Sequence, residues 1–122
     1  MAIDLRDSLH DVPVKVAALP IVPSISAVTK VELEGGIYVR PALMVSRRLA
    51  VDAVLDHLTV IDFNGDMAAI YGQIVAQAGF SRRKIIDRMI AATAISQDLT
   101  LITLNGQDFT DITGLQLMVW NS

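Results

Sequence analysis

Short β-rich runs alternate with helical stretches along most of this chain, and that alternation restricts the fold more than any other feature. The clearest helix carries Met67, Ile70, Tyr71, Ile74, Val75 and Ala78, a spacing that lays one apolar stripe along an amphipathic helix. Before it, residues 21–26 are β-rich, with Pro23 marking the start, and Thr29 to Glu34 reads as a helix broken by Gly35 and Gly36. Pro41 suits the first turn of a helix carrying Leu43, Ala50, Val51, Val54, Leu55 and Leu58, followed by a short strand at 59–61. After it, residues 85–95 are almost all apolar or small, which predicts a helix buried on most sides. Thr100-Leu101-Ile102-Thr103 is a buried-strand pattern, and 115–119 predicts a last strand. Near the start, Val12, Val16 and Leu19 share one face of a short helix ending at Pro20. Strands alternating with helices imply an α/β fold, a mainly parallel sheet covered on both faces in three layers. Ligands of such sheets gather outside the carboxyl ends of the strands.

At 122 residues, without repeats or a linker, the chain is expected to be one domain over 1–122. It has no cysteine, which excludes disulfides and thiolate metal sites and suits a reducing cytoplasm. No basic stretch leads into an apolar run after Met1, so no signal peptide is expected, and no apolar run reaches the ~18 residues of a membrane span. Hydrophobic residues make up 52%, and the mean hydropathy is +0.49. A small domain has limited interior volume, so part of that apolar surface is expected to face a partner. The net charge of −3, from 13 acids and 10 bases, argues against a broad basic face for duplex nucleic acid. It leaves room for an acidic pocket with a small basic rim, for which Arg82-Arg83-Lys84 is the single run of three bases.

Several chemistries drop out. There is no Gly-x-Ser-x-Gly elbow, no glycine-rich phosphate loop after a strand, and no metal-ligand spacing between His10 and His57. What remains is acidic. Glu32 lies in a helix after the 21–26 run, although Thr29-x-x-Glu32 also reads as a capping box. Asp108 follows the 100–103 strand, although Asn105 could cap a helical turn there with Asp108 complementing its positive end. Asp87 lies inside the most buried helix expected, where a carboxylate is costly unless paired or bound to metal. Its structural alternative is an ion pair with Arg83, four residues earlier.

Three of these segments, in this order, resemble the motifs of the PIN-domain family. Ser26-Ala27-Val28-Thr29-Lys30-Val31-Glu32-Leu33-Glu34-Gly35 resembles the second acidic motif, with the family glutamate on Glu32. Asp87-Arg88-Met89-Ile90-Ala91-Ala92-Thr93-Ala94 resembles the third, with the aspartate on Asp87. Leu99-Thr100-Leu101-Ile102-Thr103-Leu104-Asn105-Gly106-Gln107-Asp108-Phe109 resembles the fourth, with the acid on Asp108 and an accessory polar residue on Asn105. Asp62-Phe63 and Tyr71-Gly72 also fit, and the match spans residues 3–120. Each motif is weak alone; the ordered set is specific. The family opens with a strand ending in Asp-Thr-Asn or Asp-Thr-Ser. Here Ala2-Ile3-Asp4-Leu5-Arg6-Asp7 resembles the helix after that strand, so the first strand and its aspartate are expected to be missing. The alternative is a remnant strand at 1–3 with Asp4 as the first acid, which requires a much shorter first helix.

The resemblance, closest to the VapC-like toxins, implies a Mg²⁺- or Mn²⁺-dependent endoribonuclease of a toxin–antitoxin pair. In that reading Asp87 is the principal metal ligand, Glu32 and Asp108 complete the site directly or through water, and Asn105 and Thr29 assist. Arg82, Arg83 and Lys84 would contact RNA phosphates. An antitoxin partner and a homodimer are implied as well, which suits the apolar excess. Two other readings compete: a non-catalytic PIN scaffold that binds an antitoxin-like partner, and a parallel-sheet domain whose acids are only helix caps.

Overall fold

The structure, a computed structural model, describes residues 2–3, 23–103 and 105–119. Five short strands form one sheet: β1 (Ala2–Ile3), β2 (Ser24–Ser26), β3 (Thr59–Ile61), β4 (Leu101–Thr103) and β5 (Leu117–Val119), in the order β3-β2-β1-β4-β5. Every pairing is parallel. Among the described residues four α-helices lie between the strands: α1 (Ala27–Ile37) and α2 (Met44–Leu55) between β2 and β3, and α3 (Gly65–Ala78) and α4 (Ile85–Ser96) between β3 and β4.

Side chains alternate across a strand, and β4 shows how the layers arise. Leu101 packs on one face with Val28, Ile74, Ile90, Ala91, Ala92, Ala94 and Phe109. Its neighbour Ile102 packs on the other with Ile25, Leu33, Ile37, Val51 and Val54. Helices α3 and α4 thus cover one face, and α1 and α2 the other, as the three-layer expectation required. The small side chains of Ala91, Ala92 and Ala94, all fully buried, let α4 lie close to its neighbours.

Three expectations need correction. First, the centre of the sheet is filled. Ala2 pairs with Ser24 and Leu101, and Ile3 with Ile102, so β1 gives the inner edges of β2 and β4 backbone partners. The remnant-strand alternative therefore describes the sheet, and the missing-strand expectation does not. Asp4 follows β1 directly in sequence but lies outside the described residues, as do His10 and the helix expected around Val12, Val16 and Leu19. Second, α1 runs through Gly35 and Gly36 to Ile37. Each glycine costs about 1 kcal/mol of helix propensity, but Ile37 is buried on the far side of them, and burying it returns about 1.5–3 kcal/mol. Third, Pro41 opens a separate 3-10 turn, Pro41–Leu43, ahead of α2. Leu43 is consequently exposed and Leu58 lies beyond the helix, leaving Val51 and Val54 as its buried residues.

Candidate active site

Topology brings three acid-bearing segments to one edge of the sheet. Helix α1 follows β2 and so begins at the carboxyl end of the strands, where Glu32 is carried. Helix α4 precedes β4 and runs back along the sheet, which places its first turn, with Asp87, at the same edge. The 3-10 turn Gly106–Phe109 follows β4 and carries Asp108.

At the β2–α1 junction, Ser26 has extended dihedrals, and its Oγ accepts from the Val28 backbone N–H at 3.1 Å. Ser26 is therefore the N-cap, and Thr29 sits within the first turn of the helix. The capping-box explanation of Glu32 fails, because Thr29 does not cap and Glu32 lies beyond the first turn. Thr29 is fully buried, and its hydroxyl has no hydrogen-bond partner among the described residues. Glu32, three positions on, shares its helix face, and one carboxylate oxygen is shut off from solvent.

Asp87 is 7% exposed. One turn and a half further along α4, the Thr93 hydroxyl donates to the Met89 carbonyl at 2.9 Å and reaches Ser26 Oγ at 3.5 Å. This contact ties the Asp87 helix to the junction that starts the Glu32 helix.

After β4, the buried Thr103 hydroxyl accepts from the Asn105 backbone N–H at 3.0 Å. Asn105 makes no side-chain cap; its Nδ2 donates to Asp108 Oδ2. The expected cap is thus replaced by a direct contact between the two residues. Among the described residues no group of three or more His, Cys, Asp and Glu side chains is close enough to hold a metal ion. Glu32, Asp87 and Asp108 share an edge without closing a three-ligand cage.

Of the basic run, which forms a 3-10 turn before α4, Arg82 and Arg83 are exposed, whereas Lys84 Nζ pairs with Asp111 Oδ2 at 3.1 Å. The same oxygen accepts from Arg88 Nη2 at 3.2 Å, while Arg88 Nη1 donates to the Gly79 carbonyl at 2.5 Å. Partial burial alone would raise the Asp111 pKa, but the hydrogen bonds from Lys84 and Arg88 outweigh it and hold the carboxyl below the usual aspartate range. Sequence reasoning missed this cluster. The available signal was an arginine in the most buried helix, next to Asp87 but unable to face it at a spacing of one.

On the opposite face, Arg48 joins α1 to α2. Its guanidinium donates to Glu34 at 2.6 and 3.0 Å and to Asp52 at 2.5 and 3.1 Å. The hydrogen bond from Arg48 holds Glu34 below the usual glutamate range. Beside it, Tyr38, Met44, Val45, Arg48 and Leu49 line a shallow, mostly apolar groove of about 250 Å³.

The family model of the PIN domain matches residues 5–115. This chain belongs to the PIN-domain family. A tRNA(fMet)-specific endonuclease VapC from Shigella flexneri is 33% identical over 100 residues, covering 80% of this chain and 74% of that protein. VapBC2 from Rickettsia felis, solved bound to a promoter DNA fragment, superposes with a TM-score of 0.80 at 23% identity over 99% of this PIN chain and 100% of that chain. DNA-bound VapBC from Salmonella typhimurium gives 0.80 at 23% identity, covering 98% and 96%. These structures share the PIN fold described above. Within it, the segments carrying Glu32, Asp87 and Asp108 stand at the carboxyl edge of the sheet, the place expected of ligand-binding residues in an open α/β fold.

Proposed function

We propose that this PIN domain is the toxin of a toxin–antitoxin pair, a Mg²⁺- or Mn²⁺-dependent endoribonuclease that hydrolyses RNA phosphodiester bonds. The observation that carries this reading is Asp87, a carboxylate nine-tenths buried in the first turn of α4, at the edge shared with Glu32 and Asp108. The similarity to the VapC endonuclease supports the same reading.

The donor chemistry suits a hard divalent ion: carboxylates, the Asn105 amide, and the buried Thr29 hydroxyl that has no other partner among the described residues. Because the three acids do not close a cage by themselves, Asp87 is assigned the direct contact. Glu32 and Asp108 act through water, and Asp4, next in sequence after β1, is the further candidate donor. A bound divalent ion would supply a Lewis acid for the phosphodiester and lower the pKa of a water. The chain's own residues do the rest. Asn105 orients the Asp108 carboxylate, Thr29 and Glu32 hold water at the start of α1, and the exposed Arg82 and Arg83 meet RNA phosphates. Lys84 is a weaker phosphate contact because Asp111 already engages it.

The antitoxin is assigned to the groove beside Arg48, where Tyr38, Val45 and Leu49 expose apolar surface that a domain of this size has no interior to hide. That VapBC neighbours were solved as two-component assemblies supports such a partner. A homodimer, a cytoplasmic location and a single domain spanning the chain complete the proposal. Among the described residues no helix is long and apolar enough to cross a membrane.

The test is cleavage of a mixed RNA pool with Mg²⁺ or Mn²⁺, run beside Asp87→Asn. Cleavage lost in the variant supports the nuclease. Cleavage that persists in it removes Asp87 from the site. A second reading, a non-catalytic scaffold that only binds the partner, is favoured by the open arrangement of the acids and would follow if neither protein cuts.

A further inference from the structure

The geometry points to Arg88 as a positioning residue: through Gly79 and Asp111 it fixes the helix turn bearing Asp87 against the loop turn bearing Asp108. The inference rests on the nuclease reading above for its catalytic consequence. Arg88 is 2% exposed, so it is not a contact for substrate in solution. It cannot neutralise Asp87 either, because adjacent residues on a helix point in different directions. Its guanidinium instead bridges two segments. Nη1 takes the carbonyl of Gly79, which ends α3 in a left-handed conformation at φ +85°. Nη2 takes Asp111, in the turn just after Gly106–Phe109. The end of α3 and the turn after Gly106–Phe109 therefore meet on one planar group carried by α4, one residue from Asp87.

Stability alone does not call for this arrangement. Burying a guanidinium is costly, Nε has no hydrogen-bond partner among the described residues, and an apolar side chain of similar volume often serves a core as well or better. What an arginine provides, and an apolar residue does not, is a directional fork that sets distance and angle between the groups it joins. Groups that orient catalytic side chains from behind typically affect activity by about 10–100-fold when removed.

The test compares wild type with Arg88→Met/Asp111→Asn, which removes both charges together, and with Arg88→Lys, which keeps the charge but loses the fork. The expected result for the double variant is near-unchanged thermal stability and a kcat for RNA cleavage lower by about 10–100-fold, with any change in KM set by the release of Lys84 from Asp111. Amide hydrogen exchange across 106–110 and the first turn of α4 should rise at least about tenfold, the factor for losing one charge-assisted hydrogen bond. Arg88→Lys should shift both readouts in the same direction by less, and it carries the test if the double variant fails to fold. Unchanged exchange and unchanged kcat in a folded variant overturn the inference. Exchange is measurable whether or not the chain cuts RNA. A wild type that cuts nothing therefore counts against the nuclease reading, while the exchange result still decides whether Arg88 fixes the two turns.

Discussion

Ser26 and Thr93 meet hydroxyl to hydroxyl at 3.5 Å, joining the N-cap of α1 to the last turn of α4. The two residues contribute unequally. Ser26 satisfies an orphan backbone donor of α1, whereas the Thr93 hydroxyl has the Met89 carbonyl as a second partner. Ser26→Ala should cost about 1 kcal/mol in a urea titration, the usual loss of a serine N-cap. Thr93→Val should cost less. Equal costs would mean that the inter-helix contact, and not the cap, is the principal contribution.

Asp87→Asn separates a functional carboxylate from a structural one. If desolvation of the buried carboxylate is the dominant cost at this position, removing its charge should raise the metal-free melting temperature by a few degrees, equivalent to about 1 kcal/mol, while abolishing cleavage. A lower melting temperature would identify Asp87 as half of a stabilising ion pair.

Asp111 makes a signed prediction about acid. Its carboxyl titrates below the ordinary value near 3.8 in the folded chain. Its contribution is therefore complete above that value and is lost as pH falls through the lower, folded one. Lys84 and Arg88 stay charged throughout this range. The stability difference between wild type and Asp111→Asn should be constant from neutral pH to about pH 5 and should shrink below about pH 4. A difference that grew on acidification would contradict the pairing.

Gly106 tests how closely the Asp108 turn approaches the edge strand. A Cβ at this position would stand 2.5 Å from Val119 Cγ2, and a β-branched valine has little rotamer freedom to move aside. Gly106→Ala should destabilise by about 1–3 kcal/mol, and Val119→Ala in the same chain should recover most of it. Absence of recovery would locate the cost in the turn's backbone.

How far these features could be read in advance depended on range. The α3 stripe, with Met67 and Ile74 now in the core, and the Leu101-Ile102 pair of β4 are local patterns, and burial follows them directly. The order of acidic segments also identified the family. The N-cap was misplaced because Ser26 and Thr29 are equally good capping residues three positions apart, and only the end of β2 decides between them. Helix α1 outran its glycines because Ile37 finds a core made by α2 and β4, which local propensity does not register. Two residues are too few to show any periodicity, so β1 could not be read as a strand. The pairing of Arg88 with Asp111 joins positions 23 apart and leaves no trace in either neighbourhood.

The shortness of β1 also bears on how the molecule assembles. Strands β2 and β3 are neighbours in sequence as well as in the sheet, and so are β4 and β5, and in the sheet β1 stands between these two pairs. Joining Ala2 to Leu101 closes a loop that takes in most of the chain, the costliest closure in the sheet. Contacts of that span slow folding. Ala2 reaches Ser24 over a shorter span than Ser24 reaches Thr59, so β1 meets β2 and β3 on its less costly side, and the join of β1 to β4 is the closure that asks most of the chain.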